Sequence, residues 1–146
     1  MAPRLALDAG DRLGRLTLRD RHQHMHTVIE TPTFLSDCRR AGLAEDARLD
    51  IVDAIADDPL AGDVITGTGG ARKRRFGGRG KGKSGGYRVI SYYAGDDVPV
   101  LLLALVDKGE RTDLTQSDRN ALATELRTYA REYRAAAAAR AAKRRR

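Results

Sequence analysis

The chain has 146 residues, a formal net charge of +7 and a sequence pI near 10.0. Its length suits one compact domain and leaves no room for a second sizeable core, while its positive charge predicts an anionic partner such as RNA, DNA or an acidic protein. The single cysteine, Cys38, excludes an intrachain disulfide and favours the reducing cytoplasm, and the longest apolar run, 98–106, is too short to cross a membrane.

Composition divides the chain into three parts. Residues 1–24 are rich in Arg and Asp with scattered Leu, and we expect a poorly ordered leader, with the natural start at either Met1 or Met25. Residues 25–134 carry the apolar periodicities of a folded domain. Residues 135–146 contain only Ala, Arg and Lys, and we expect a basic tail that extends the last helix.

The first half of the folded part predicts a strand and two helices. β-Branched residues within 26–30 predict a short strand. Thr31 and Pro32 supply an N-cap and a first-turn proline for a helix that ends before Gly42, and a second helix is expected over 44–57. The apolar face of the second helix is predicted to contain Leu43, Ala47, Ile51, Ala54 and Ile55.

The second half predicts three strands and a helix. After a glycine-rich loop, residues 71–76 and 86–94 are expected to form a long hairpin, and the apolar run over 98–107 a central strand covered on both faces. Thr115 and Asp118 have the spacing of a capping box, which predicts where the last helix starts. The order β-α-α-β-β-β-α predicts an α+β fold: a small antiparallel sheet with two N-terminal helices on one face, a C-terminal helix, and a second face free for a ligand.

Basic residues concentrate in the predicted hairpin. The stretch 67–95 contains eight cations and no Asp or Glu. Because alternate side chains of a strand share a face, we expect Lys73 and Arg75 on one side and Arg72 and Arg74 on the other. We interpret the hairpin as an RNA-binding surface, with tyrosines that stack on unpaired bases; a role in solubility or in binding an acidic protein is the alternative. The candidate RNA-binding residues are Arg72, Arg74, Arg79, Lys81, Lys83 and Tyr87.

Two further patterns resemble known sites but lack the context that these sites require. The sequence GGRGKGKS over 77–84 satisfies the phosphate-loop pattern, but β-rich sequence follows it instead of a helix, so we predict no nucleotide cofactor. His22, His24 and His26 alternate, but Glu30 is the first acidic residue after them and no cysteine is near, so we predict no metal site. We expect no cofactor of any kind.

Four segments within 25–134 resemble the RelE/HigB toxins of bacterial toxin-antitoxin pairs. They are ETPTFLSDCRRAGL from Glu30, DPLAGDVITGTGGARKRRF from Asp58, GKGKSGGYRVISYY from Gly80 and LLALVDKGERTDLTQSDRNAL from Leu102. The resemblance implies a RelE-like fold and a metal-independent endoribonuclease that cleaves mRNA on the translating ribosome by 2′-hydroxyl attack. It also implies an antitoxin partner that has a helix-turn-helix DNA-binding region and acidic stretches.

The resemblance further implies which residues carry the chemistry. The family's basic strand positions correspond to Arg72, Lys73 and Arg75. The arginine of its GYR motif corresponds to Arg88 and its last-strand lysine to Lys108. We expect Arg88 to stabilise the charge on the phosphate and Arg75 to position the RNA backbone. On the same resemblance we expect Lys73 and Lys108 to carry the two proton transfers, in an order that stays open.

Two other functions are compatible with the same residues. One is a protein of this fold that binds RNA or the ribosome without cutting. The other is a toxin that resembles ParE and acts on DNA gyrase, although the dense cations of the hairpin favour RNA. We expect a cytoplasmic protein with no membrane partner in each case.

Overall fold

A computed structural model describes residues 26–77, 86–107 and 114–145. The predicted leader lies outside these ranges. The described residues form an α+β structure with a five-stranded mixed sheet and three helices. In chain order the elements are β1 (Val28–Glu30), α1 (Pro32–Arg40), α2 (Glu45–Asp57), β2 (Asp63–Val64), β3 (Ala71–Phe76), β4 (Tyr87–Tyr92), β5 (Val100–Val106) and α3 (Gln116–Arg144).

The strand order is β1-β5-β4-β3-β2, and it corrects the predicted sheet in two respects. The prediction of an antiparallel sheet is wrong for β1, which pairs in parallel with β5. Val28 and Ile29 are both buried, so β1 needs cover on both faces. A strand of only three residues carries no pattern that indicates the direction of its neighbour. The predicted glycine-rich loop also contains β2, which pairs with β3 at the opposite edge.

The two helix starts that were predicted from capping residues are confirmed. The Thr31 side chain accepts a hydrogen bond from the backbone N–H of Phe34 at 3.2 Å, and Pro32 occupies the first turn of α1. Thr115 and Asp118 exchange the two bonds of a capping box at the start of α3. These bonds satisfy N–H groups that have no partner within the helix, which explains why local sequence fixes these boundaries.

Helices α1 and α2 cover one face of the sheet, which we call the helix face. Phe34 is fully buried at its centre, packed among apolar residues of α2, β4 and β5. Cys38 belongs to the same core, and burial raises the pKa of its thiol to about 11. The thiol is therefore protonated at neutral pH and acts as a packing group.

Helix α3 covers part of the second face, which the sequence predicted to be free. Leu126 and Ala130 of α3 pack with Ile29, Tyr92 and Leu101 at the end of the sheet where β1 and β5 begin. An apolar stripe at helical spacing must be buried against something, and this end of the sheet offers the matching apolar surface. In the described ranges, no helix has the length and apolar character needed to span a membrane.

Candidate nucleic-acid interface

The pairing of β3 with β4 brings three of the predicted catalytic cations together. Arg75 is the register partner of Arg88, and Lys73 is the partner of Ile90, which places Lys73 diagonally across from Arg88. In antiparallel pairs the Cβ atoms of opposite residues lie about 5 Å apart, and diagonal neighbours about 7–8 Å apart. We call Lys73, Arg75 and Arg88 the basic cluster.

The basic cluster lies on the face of the sheet opposite α1 and α2. Alternation along β3 and β4 places it on the same side as Ala71 and Tyr92, both of which pack in the core beneath α3. The cluster is displaced from that core toward the end of the sheet where β3 ends and β4 begins. Arg75 is exposed and the other two cations are half-buried, so a polyanion can reach all three. The sequence prediction that Lys73 and Arg75 share a side is confirmed.

The charges of the basic cluster are not neutralised within the described part of the chain. None of its three side chains takes part in an ion pair or a hydrogen bond there. Asp63 of β2 is the register partner of Lys73, but its exposed carboxylate makes no described ion pair with that lysine. Like charges directly opposite one another on a sheet are destabilising, and a bound phosphate would relieve this repulsion.

Arg72 and Arg74 face the other way, as predicted, and there they stabilise the fold. Arg72 Nη1 donates to the carbonyl oxygen of Leu60 at 3.0 Å. Arg74 Nη1 donates to the carbonyl oxygens of Ala54 and Asp58 at 3.2 and 3.3 Å. Ala54 belongs to the last turn of α2, and Asp58 and Leu60 follow that helix, where the negative end of the helix dipole favours a cation. Both arginines were predicted to bind RNA, and the structure places them away from the basic cluster.

The aromatic residues of the hairpin also lie away from the basic cluster. Tyr87 is the register partner of Phe76, and both pack against the core on the helix face. The guanidinium of Arg74 lies 5.0 Å from the centre of the Phe76 ring. Tyr92 is buried beneath α3, and the hydroxyl of Tyr93 donates to Asp96. Base stacking by Tyr87 at the basic cluster would therefore require a change in this packing.

Asp37 of α1, which the sequence analysis did not single out, holds the end of β5. Strand β1 ends opposite Leu102, so the next outward N–H groups of β5 have no strand partner. The Oδ2 atom of Asp37 accepts the N–H of Leu105 at 3.0 Å, and its Oδ1 atom accepts from Arg40 at 2.8 Å. A buried N–H without an acceptor is costly, so Asp37 fixes the part of β5 that pairs Val106 with Arg88.

Several predicted site residues lie outside the described residues. Lys108, the second proton-transfer candidate, follows Val106 by two positions, and the remaining basic residues belong to the connection between β3 and β4. Of the described residues, no group of three or more His, Cys, Asp and Glu side chains could hold a metal ion. No protein-family model matches the chain. The predicted residues outside the described ranges are Arg79, Lys81, Lys83 and Lys108, together with His22 and His24.

Proposed function

We propose that the protein is a metal-independent endoribonuclease that cleaves mRNA on the translating ribosome in the cytoplasm and so arrests translation and growth. The observation that carries the proposal is the register of β3 and β4, which places Arg75 opposite Arg88 with Lys73 beside them on an accessible face. The α+β architecture is compatible with the RelE-like topology that the sequence resemblance implies, and that topology is part of the proposal.

The proposed reaction is an internal transfer of the phosphoryl group. The 2′-oxygen attacks the adjacent phosphorus and gives up its proton, the bond from phosphorus to the 5′-oxygen breaks, and that oxygen takes a proton. The products are a 2′,3′-cyclic phosphate and a 5′-hydroxyl. Arg88 stabilises the charge that grows on the phosphoryl oxygens and Arg75 positions the RNA backbone, because guanidinium groups stay protonated and match phosphate oxygens. Lys73 and Lys108 are assigned the two proton transfers, in either order.

The proposal includes a protein partner that silences the enzyme. An antitoxin with acidic stretches would cover the basic cluster, since complementary charge speeds encounter and fixes the orientation of the complex. A helix-turn-helix region in the same partner would bind DNA, as the resemblance implies. The unneutralised charge of Lys73, Arg75 and Arg88 is the feature of this chain that supports such a partner.

Inducible expression followed by transcript-end mapping tests the proposed function. We expect growth arrest and new 5′-hydroxyl ends clustered in translated regions, because the proposed enzyme cuts mRNA that is bound to the translating ribosome. The matched control is the double variant Arg88→Ala/Lys108→Ala, which should give neither effect at equal protein level. Growth arrest with unchanged transcripts would contradict the proposal; altered DNA supercoiling in the same cells would then indicate action on gyrase.

A further inference from the structure

A second group of arginines lines a groove beside α3, away from the basic cluster. The groove has a volume of about 260 Å³ and lies between α3 and the glycine-rich loop that precedes β3. Small side chains leave its floor open, and of the described residues none that lines it is acidic. The lining residues are Gly69, Tyr92, Ala123, Arg127, Ala130, Arg131 and Arg134.

The three arginines follow one another along one side of α3. Positions 127, 131 and 134 are four and three residues apart, which corresponds to steps of about 6 and 4.5 Å along the helix axis. Arg127 and Arg131 are exposed and make no ion pair or hydrogen bond with described residues. Arg134 is held at the end of the row, where it donates to Asp97 at 2.7 Å and to the carbonyl oxygen of Ala94 at 3.1 Å.

The loop on the other wall of the groove offers one backbone donor. Gly69 lines the groove and has a positive φ angle of 75°. The N–H groups of the residues around it are used, since Thr68 donates to Ile65 and Ala71 donates to the hydroxyl of Thr68. Within the described part of the chain, the backbone N–H of Gly69 makes no hydrogen bond to another backbone group. Backbone N–H groups are common phosphate donors, so this group adds to the donors of the arginines.

We propose that this groove binds backbone phosphates of single-stranded RNA, as a second contact outside the cleavage site. The exposed guanidinium groups of Arg127 and Arg131, with the backbone N–H of Gly69 beside them, are donors that suit phosphate oxygens. A protein partner would need apolar or aromatic anchors, and the large hydrophobic residues most exposed in the described ranges, Leu60 and Val64, do not line the groove.

The groove and the basic cluster are far enough apart to contact different nucleotides. Tyr92, which lines the groove, and Arg88 of the basic cluster lie four positions apart in β4, and strand geometry converts this to a separation of about 13 Å. An RNA that occupies both sites therefore extends beyond the two nucleotides that flank the phosphodiester that is cut. Identifying this RNA with the substrate rests on the proposed function, whereas binding of phosphate in the groove does not require cleavage.

The test is the affinity of the full chain for a 2′-O-methyl single-stranded RNA, which lacks the attacking hydroxyl, measured by fluorescence anisotropy over a range of salt concentrations. We expect the variant Arg127→Gln/Arg131→Gln to bind about tenfold more weakly and to lose about 1.4 from the magnitude of its log-log salt slope, since each phosphate contact on a single strand contributes about 0.7. Arg127 and Arg131 are exposed, as are the two residues exchanged in the control variant described below. Melting curves check that both variants are folded.

The matched control is Arg140→Gln/Lys143→Gln, which removes two cations from the same helix outside the groove. We expect it to change affinity by less than about twofold at moderate salt. Equal losses in both variants, or no loss in the groove variant, would overturn the inference. If the groove variant alone loses affinity but the wild-type protein does not cut mRNA on the ribosome, the groove stands and the proposed function fails. If the wild-type protein cuts that mRNA and the groove variant binds normally, the proposed function stands and the groove fails.

Discussion

Replacing Arg88 with Ala is expected to lower the rate of RNA cleavage by about 100- to 1,000-fold, the usual cost of removing one donor that stabilises charge in a transition state. The affinity for uncleaved RNA should fall only a few-fold, because Lys73 and Arg75 remain on the same face. Arg88→Lys should restore part of the rate, since an ammonium keeps the charge but lacks the fork of donors. Single-turnover cleavage of end-labelled mRNA on a programmed ribosome measures the rate, and anisotropy with free RNA measures the affinity.

Arg39→Ala is the matched control for this prediction. Arg39 is an exposed cation of α1, on the opposite side of the sheet from the basic cluster. Its loss changes the net charge equally and should leave the cleavage rate within about twofold, because exposed charges beyond a Debye length are screened. Cleavage at the wild-type rate by Arg88→Ala would remove this arginine from the reaction.

Replacing Phe34 with Ala is expected to lower the free energy of unfolding by about 3–5 kcal/mol, since a fully buried aromatic side chain leaves a cavity that the core fills only in part. Urea denaturation measures the effect. Leu60→Ala is the control, because Leu60 is 54% exposed and its truncation should change stability by less than about 0.5 kcal/mol. A loss below about 1 kcal/mol at Phe34 would contradict the described core.

The core around Phe34 also supports the candidate site. The same helix carries Asp37, whose carboxylate holds the N–H of Leu105 in β5. That strand places Val106 beside Arg88 and leads to Lys108 two residues later. Loosening α1 should therefore disturb the site as well as the core, and the cleavage rate of a core variant has to be compared at a temperature where it remains folded.

Local patterns predicted the parts of the fold that depend on local interactions. The start of α1 follows from Thr31 with Pro32, and the start of α3 follows from Thr115 with Asp118. The two residues of each pair lie within three positions of each other. Strand β3 occupies the residues predicted for it. The alternation of side chains along a strand correctly placed Lys73 and Arg75 on one face and Arg72 and Arg74 on the other. In each case the physical cause acts over a few residues, so the sequence carries it directly.

Other features depend on contacts between distant parts of the chain, and the sequence did not predict them. The bond from Arg74 to Ala54 spans 20 positions, and the bond from Leu105 to Asp37 spans 68. Neither has a signal in local periodicity, so the stabilising roles of Arg72 and Arg74 and the role of Asp37 were missed. The parallel direction of β1 was missed for the same reason. The assignment of Lys108 remains a prediction.

Cleavage of two RNAs that differ by one atom tests the central claim most directly. Both are presented as mRNA on a programmed ribosome. One carries ribose throughout, and the other carries a single 2′-deoxyribose on the 5′ side of the cut position. We expect cleavage of the first, with a 2′,3′-cyclic phosphate and a 5′-hydroxyl, and no cleavage of the second at that position. Equal cleavage of both RNAs, or ends with a 5′-phosphate, would contradict attack by the 2′-hydroxyl on a phosphodiester held by Lys73, Arg75 and Arg88.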